Sequence, residues 1–219
     1  MVTRHEFLAQ LHEQLQPRGY LEIGVQFGES LRLARCPAIG IDPAPMLQGH
    51  FKDATVFTST SDDFFESGGM ARWFELPIDL VFIDGMHLYE YALRDFENVE
   101  RYVNERSVVV FDDVLPRNQH EAARVQCPGD WTGDVWKVPK FLQVRRPRLK
   151  QHWVDTQPTG TYVVYGFDPE DAKAPIYAQI RDLGLEAWET VPDDVLNRAE
   201  AVDPSWALEQ IAAHMKELG

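Results

Sequence analysis

Asp79-Leu-Val-Phe-Ile-Asp84-Gly-Met-His87-Leu-Tyr-Glu90 is the stretch on which the reading of the chain turns. Asp79 to Asp84 is a short apolar run of strand length that closes on an acid, followed by a glycine and then by residues that recur at helical spacing. Ala92, Phe96, Val99 and Val103 then share one face, which predicts a helix over Tyr89 to Val103. Four further runs have the same form: Tyr20 to Gly24, Ala38 to Asp42, Thr55 to Ser59 and Ser107 to Asp112. Buried strands alternating with crossover segments predict an α/β fold, with a mostly parallel central sheet and helices on both faces.

The flanks complete that outline. Thr3 and Glu6 have capping-box spacing ahead of Phe7, Leu8, Leu11 and Leu15, and Pro17-Arg18-Gly19 ends the pattern, so an N-terminal helix occupies residues 1–17. Val114 to Gly133 has no periodicity and reads as a long loop of functional size, followed by a helical stretch over Gly133 to Val144. Gln151 to Asp155 and Thr161 to Phe167 form an antiparallel hairpin at the far edge of the sheet. The core therefore spans 18–168, and an acidic, partly helical extension fills 169–219, its last helix opening on Asp203-Pro204. The whole is expected to be one domain, with the N-terminal helix and the acidic tail closing over the site or meeting another subunit in a homo-oligomer.

The 219 residues are 44% hydrophobic and 26% charged, and Asp plus Glu outnumber Lys plus Arg 35 to 21. A net charge of -14 repels a phosphate backbone, so no nucleic-acid partner is expected. The basic group Arg145, Arg146, Arg148 and Lys150 reads as a solvated face. No apolar run approaches the length of a bilayer span, and the first residues lack a signal-peptide pattern, so the expectation is a cytoplasmic protein that no membrane holds. Cys36 and Cys127 share no metal-binding spacing and read as reduced thiols.

In a parallel sheet the ligand site lies beyond the carboxyl ends of the strands. The first strand runs into Glu22-Ile-Gly24-Val-Gln-Phe-Gly28, two glycines that let a backbone bend and a ligand approach. Asp42 ends the second strand 18 residues after Gly24, near the spacing at which an acid reaches ribose hydroxyls in nucleoside folds. A carboxylate at Glu22 would repel a pyrophosphate and suit a ligand with an ammonium group, such as S-adenosylmethionine (SAM).

With these motifs, Leu21 to Ser30, Ile39 to Pro43, Asp79 to Glu90 and Val108 to Asp113, the chain resembles a Rossmann-like class I SAM-dependent methyltransferase. It is most similar to the bacterial metal-dependent small-molecule O-methyltransferases that include macrolide-sugar methyltransferases, with cephalosporin hydroxylase as a relative. Gln26 departs from the glycine that many methyltransferases carry there. The resemblance implies that Glu22, Gly24 and Gly28 line the methionine end of the cofactor and that Asp42 holds the ribose. Thr60, Ser61 and Asp62 would then sit near adenine, although Ser61 and Asp62 could equally cap a short helix over Asp63 to Ser67.

In that family the fourth and fifth strands are neighbours, so Asp84, Asp112 and Asp113 converge beside the sulfonium. Such a cluster calls for a cation, and oxygen ligands suit Mg2+ or another divalent ion. His87, three residues after Asp84, is the expected base that takes the proton of an acceptor hydroxyl, with Asp84 contributing to catalysis. Tyr89, Trp131 and Trp136 are candidates for the pocket of a small hydroxylated substrate, a sugar or a secondary metabolite of the kind met in antibiotic biosynthesis. Two rivals stand beside this reading: a metal-dependent hydroxylase of the cephalosporin type and a non-catalytic nucleoside-binding module. The other histidines, His50, His120 and His152 among them, carry no spacing argument.

Overall fold

A computed structural model describes residues 1–49, 51–70 and 76–219; His50 lies outside them. Seven strands form one sheet: β1 (Tyr20–Ile23), β2 (Ala38–Asp42), β3 (Ala54–Thr58), β4 (Ile78–Ile83), β5 (Val103–Phe111), β6 (Lys150–Val154) and β7 (Thr161–Tyr165). Their order is β3-β2-β1-β4-β5-β7-β6. The first five are parallel, while β7 runs antiparallel to both β5 and β6, which puts the expected hairpin at the edge. Strand order reverses between β1 and β4, so the crevice above their carboxyl ends is the place where this topology accepts a ligand.

Strand alternation divides the core in two. Leu21, Ile23, Val81, Ile83, Val109 and Phe111 face α2 (Ser61–Glu66), α3 (Tyr89–Glu100) and α4 (Lys137–Arg145). Tyr20, Leu80, Phe82, Val108 and Val110 face the other way, against α1 (Arg4–Leu15) and, beyond the short α5 (Asp193–Leu196), α6 (Pro204–Glu217). Because successive side chains point to opposite faces, a strand covered on both sides must be apolar throughout, and this is why the runs were readable in the sequence. None of the helices among the described residues is long and apolar enough to cross a membrane.

Three boundaries differ from the sequence reading. The helix from Tyr89 ends at Glu100, because Val103 already belongs to β5, which starts four residues earlier than its most apolar part. The helix expected from Gly133 begins at Lys137: Gly133 has φ 55°, a left-handed conformation that does not continue a helix. The short helix α2 starts at Ser61, and its cap is Thr60, whose hydroxyl accepts the Asp63 N–H at 3.1 Å. Ser61 and Asp62 are therefore in the first turn and are not caps.

Alternation also decides Glu22. It lies on the same side of β1 as Tyr20, fully buried, and accepts hydrogen bonds from the Tyr20 hydroxyl at 2.6 Å and the Ser30 hydroxyl at 2.8 Å. Burial pushes its carboxyl up to about 8, against the pull of those two hydroxyls. The unfolded chain releases this proton near the ordinary glutamate value of 4.5, so between pH 4.5 and about 8 the folded state holds a proton that the unfolded state has lost. Stability contributed by the neutral acid is complete below that window and declines as pH rises through it, by at most ~1.4 kcal/mol per pH unit. Glu22→Gln is expected to flatten this decline in urea melts between pH 5 and 8; an unchanged slope would show that the carboxyl is not the source.

The start of α1 matters because it carries Arg4 and His5 to the ligand crevice. Thr3 closes a reciprocal capping box there: Glu6 N–H donates to the Thr3 hydroxyl at 3.2 Å, and Thr3 N–H donates to Glu6 Oε2 at 2.8 Å. Thr3→Ala is expected to cost ~1 kcal/mol and lower Tm by about 2–4 °C in thermal unfolding.

Candidate active site

A cavity of about 720 Å³ opens above the ends of β1, β2 and β4, large enough for a ligand of nucleoside size. Its floor is the glycine turn after β1. Gly24 has φ 87°, and a Cβ there would stand 1.9 Å from the Asp84 carbonyl oxygen, so the turn can press against the end of β4 only as glycine. Asp42 braces the same turn: its Oδ2 accepts the N–H groups of Val25 and Gln26 at 2.9 and 2.8 Å, and its Oδ1 accepts that of Ala44 at 2.7 Å. Both oxygens thus shape the loop while Asp42 still lines the cavity. Gln26 adopts φ 46°, the left-handed conformation for which glycine is commoner, so its departure from the pattern changes the residue without changing the turn.

The acidic centre differs from the expected one in its membership. Asp84, His87 and Asp113 each offer a ligand atom, and these atoms lie within 4.8 Å of one another. His87 Nε2 stands 3.4 Å from Asp84 Oδ1 and 3.3 Å from Asp113 Oδ2. Asp112 is not among them. It follows Val108 and Val110 in the alternation of β5, so its side chain points toward α1, where Arg4 Nη1 donates to its Oδ2 at 2.6 Å. Asp113 has φ 61°, which turns it into the cavity, and its Oδ1 accepts the Thr159 hydroxyl at 2.6 Å. Burial and the neighbouring carboxylates push both Asp112 and Asp113 above the usual carboxylate range, with Arg4 opposing in each case and His87 in the second.

His87 is held from two sides. Burial alone would lower its pKa, but the hydrogen bond to Asp84 and the charges of Asp113 and Asp84 outweigh burial and raise it to about 9. On the far side Nδ1 lies 2.7 Å from the Trp131 carbonyl oxygen, which fixes Nδ1 as the donor and leaves Nε2 toward the carboxylates. The Trp131 ring lies 5.2 Å from the imidazole, at 31° to it. The loop is pressed onto this residue: a Cβ on Gly133 would fall 1.6 Å from the His87 carbonyl oxygen, and Asp134 N–H donates to that oxygen at 3.2 Å.

Gly24, Asp42, Thr60, Ser61, Asp62, Asp84, His87, Asp113 and Trp131 line the cavity together, whereas Glu22, Gly28, Asp112, Tyr89 and Trp136 do not. Gly28 still shapes the turn: it has φ 76°, and a Cβ would meet the Phe51 ring. Trp136 is buried in the core, its ring 6.1 Å from that of Trp188. Tyr89 is buried with its backbone N–H on Asp134 Oδ1 at 3.0 Å, so the aromatic residue that reaches the cavity from this helix is Tyr91. Arg4, His5 and Thr159 line it as well, and no local pattern announced them, because each arrives from an element distant in sequence. Ser30 was legible in principle, since it closes the glycine stretch already singled out.

Residues 21–114 match the methyltransferase domain family. Solved structures share the fold at low identity. An O-methyltransferase from Bacillus cereus in complex with SAH aligns with a TM-score of 0.52 and 16% identity over 74% of this chain and 79% of that one. The O-methyltransferase TomG from Streptomyces achromogenes, involved in tomaymycin synthesis and solved with SAM, gives 0.52 and 17% over 75% and 80%. MycE, a methyltransferase of the mycinamycin biosynthetic pathway solved with Mg, SAH and mycinamycin VI, gives 0.51 and 17% over 74% of this chain and 48% of that one. The chain therefore shares the fold of these O-methyltransferases, and its residues 21–114 match the methyltransferase domain family.

Proposed function

We propose that the protein transfers a methyl group from SAM to a hydroxyl of a small molecule, with a divalent cation held by Asp84 and Asp113 and with His87 as the base. The observation that carries this reading is the convergence of Asp84, His87 and Asp113 within one cavity, beside the Gly24 turn. The donor set fits a cation: burial and the neighbouring charge of Asp84 push the Asp113 carboxyl up to about 6, and hard oxygen ligands suit magnesium or manganese. The cavity also fits a ligand with a sulfonium and an ammonium group, since Glu29, Asp42, Asp84 and Asp113 all line it. That MycE was solved with magnesium, SAH and mycinamycin VI supports the same combination here.

The chain's own residues then have separate tasks. Gly24 and Asp42 hold the turn that positions the cofactor, and Ser30, its hydroxyl tied to buried Glu22, lines the cavity beside that turn. When bound, SAM supplies an electrophilic methyl group and a divalent cation supplies Lewis-acid chemistry that makes a nearby hydroxyl more acidic. His87 keeps its proton at Nδ1 on the Trp131 carbonyl, so Nε2 is the nitrogen that receives the acceptor's proton. A cation held by Asp84 and Asp113 would offset the carboxylate charges that raise His87, which would favour the neutral imidazole that a base requires. Trp131 covers one side of the centre, and Arg4 with Thr159 closes the other.

Calorimetry is expected to show SAH binding to the purified protein. Labelled SAM is expected to pass its methyl group to a hydroxylated sugar or secondary metabolite, with the rate lost on chelation. His87→Gln should lower that rate by about 10²- to 10⁴-fold while leaving SAH affinity within about threefold. Absence of SAH binding would remove the cofactor assignment, and an unimpaired His87→Gln would remove the base.

A further inference from the structure

Among the described residues that line the cavity, Arg4 is the one lysine or arginine, and most of its donors have no part in the chemistry above. Its Nη1 donates to Asp112 Oδ2 at 2.6 Å and stands 4.0 Å from Asp113 Oδ1. A guanidinium carries five N–H donors, and this one forms no other hydrogen bond among the described residues. The parallel N–H groups of Nε and Nη2 are therefore free. They are not sealed in protein, since the side chain keeps 29% of its surface and borders the ligand space.

No structural duty accounts for that open edge. Asp112 is compensated through Nη1 alone, and α1 is fastened to the hairpin by the Arg4 backbone N–H on the Gln157 carbonyl at 3.1 Å. His5, the next residue, adds no charge at neutral pH, because burial and the Arg4 charge lower its pKa. Acids dominate the rest of the lining, and two of them, Glu121 and Asp130, are occupied by Arg117. An anionic group that enters the cavity thus meets a single guanidinium, which offers it two parallel donors.

Two parallel N–H groups on one guanidinium edge match the two oxygens of a carboxylate, whereas a single neutral hydroxyl would satisfy one of them. Asp113 fixes how near that carboxylate stands to the reacting centre. Its Oδ2 is 3.3 Å from His87 Nε2 and its Oδ1 is 4.0 Å from Arg4 Nη1, so imidazole and guanidinium flank one short side chain. We propose that Arg4 binds a carboxylate of the acceptor, and that the methylated molecule is a hydroxy acid whose two groups are attached to adjacent carbons. This assignment rests on the methyl-transfer reading and adds to it the class of acceptor. The acidic lining serves the same choice, because it repels a carboxylate everywhere except at this edge.

The test is calorimetry on the whole chain with SAH and Mg2+ present, using two matched pairs of probes: salicylate against salicylamide, and glucuronate against glucuronamide. Within each pair only the carboxylate changes, to a neutral amide. Wild type is expected to prefer the acid by at least about tenfold in one pair, the first reporting a phenolic acid and the second a sugar acid. Arg4→Lys, which keeps a charge beside Asp112 and loses the fork, should cut the preference to about threefold or less while SAH affinity stays within about threefold of wild type. The double variant Arg4→Gln with Asp112→Asn, which removes the buried pair together, should abolish the preference. A wild type that binds SAH and distinguishes neither pair overturns the assignment, a result that needs no variant to fold. So does a preference that survives in the double variant, since the metal ion would then be its source. If SAH itself does not bind, the methyl-transfer reading fails, and this assignment fails with it.

Discussion

Three carboxylates at the ends of two neighbouring strands are the constraint around which this molecule is arranged. Asp84 closes β4, and Asp112 and Asp113 close β5, with the last two buried. Like charges ~4 Å apart repel by ~4 kcal/mol even at an effective dielectric of about 20, so none of them can be left without a partner. Arg4 compensates Asp112 from the α1 side, and His87 stands between Asp84 and Asp113. The placement of α1 is set by this need as much as by its apolar face. Its first turn is fastened to the hairpin by the Arg4 N–H on the Gln157 carbonyl at 3.1 Å, and the same hairpin supplies Thr159 to Asp113. One turn of chain thus holds both the cation for one acid and the hydrogen-bond donor for the other.

The long loop answers to the same centre. Asp134 is buried, accepts the Tyr89 N–H at the start of α3, and pairs with Lys137 at 2.9 Å and with Arg124. Breaking a buried pair of this kind leaves an uncompensated charge, typically at ~3–5 kcal/mol, so the loop is held in place by charge rather than by regular structure. Its result is local and chemical. The Trp131 carbonyl meets His87 Nδ1, and the imidazole is left with one defined nitrogen toward the cavity.

Much of this was legible in the residues. Strands buried on both faces show as unbroken apolar runs, and glycines at a strand end mark a turn that side chains would obstruct, which is why the sheet and the Gly24 turn could be read directly. The roles of Glu22 and Asp112 were less accessible. Both sit among the correct motifs, but each points to the α1 side, because its partners in the alternation, Tyr20 in one case and Val108 with Val110 in the other, pack there. Counting parity along the strand would have placed them. Parity could not have supplied Arg4, which reaches the site across 108 positions of sequence, nor separated Trp131, in the aperiodic loop, from Trp136, at the entry to the helix that follows it. The aromatic side chain that faced the cavity from α3 was Tyr91, two residues beyond the one singled out, a difference that depends on where the helix begins.

The account stands or falls on which aspartates surround the cation. Titration of Mn2+ followed by electron paramagnetic resonance, in the presence of SAH, measures this directly on wild type, Asp112→Asn and Asp113→Asn. Loss of affinity by at least about tenfold in Asp113→Asn, with Asp112→Asn within about threefold of wild type, is the predicted result. The reverse order, with Asp112 required and Asp113 dispensable, would contradict the centre described here.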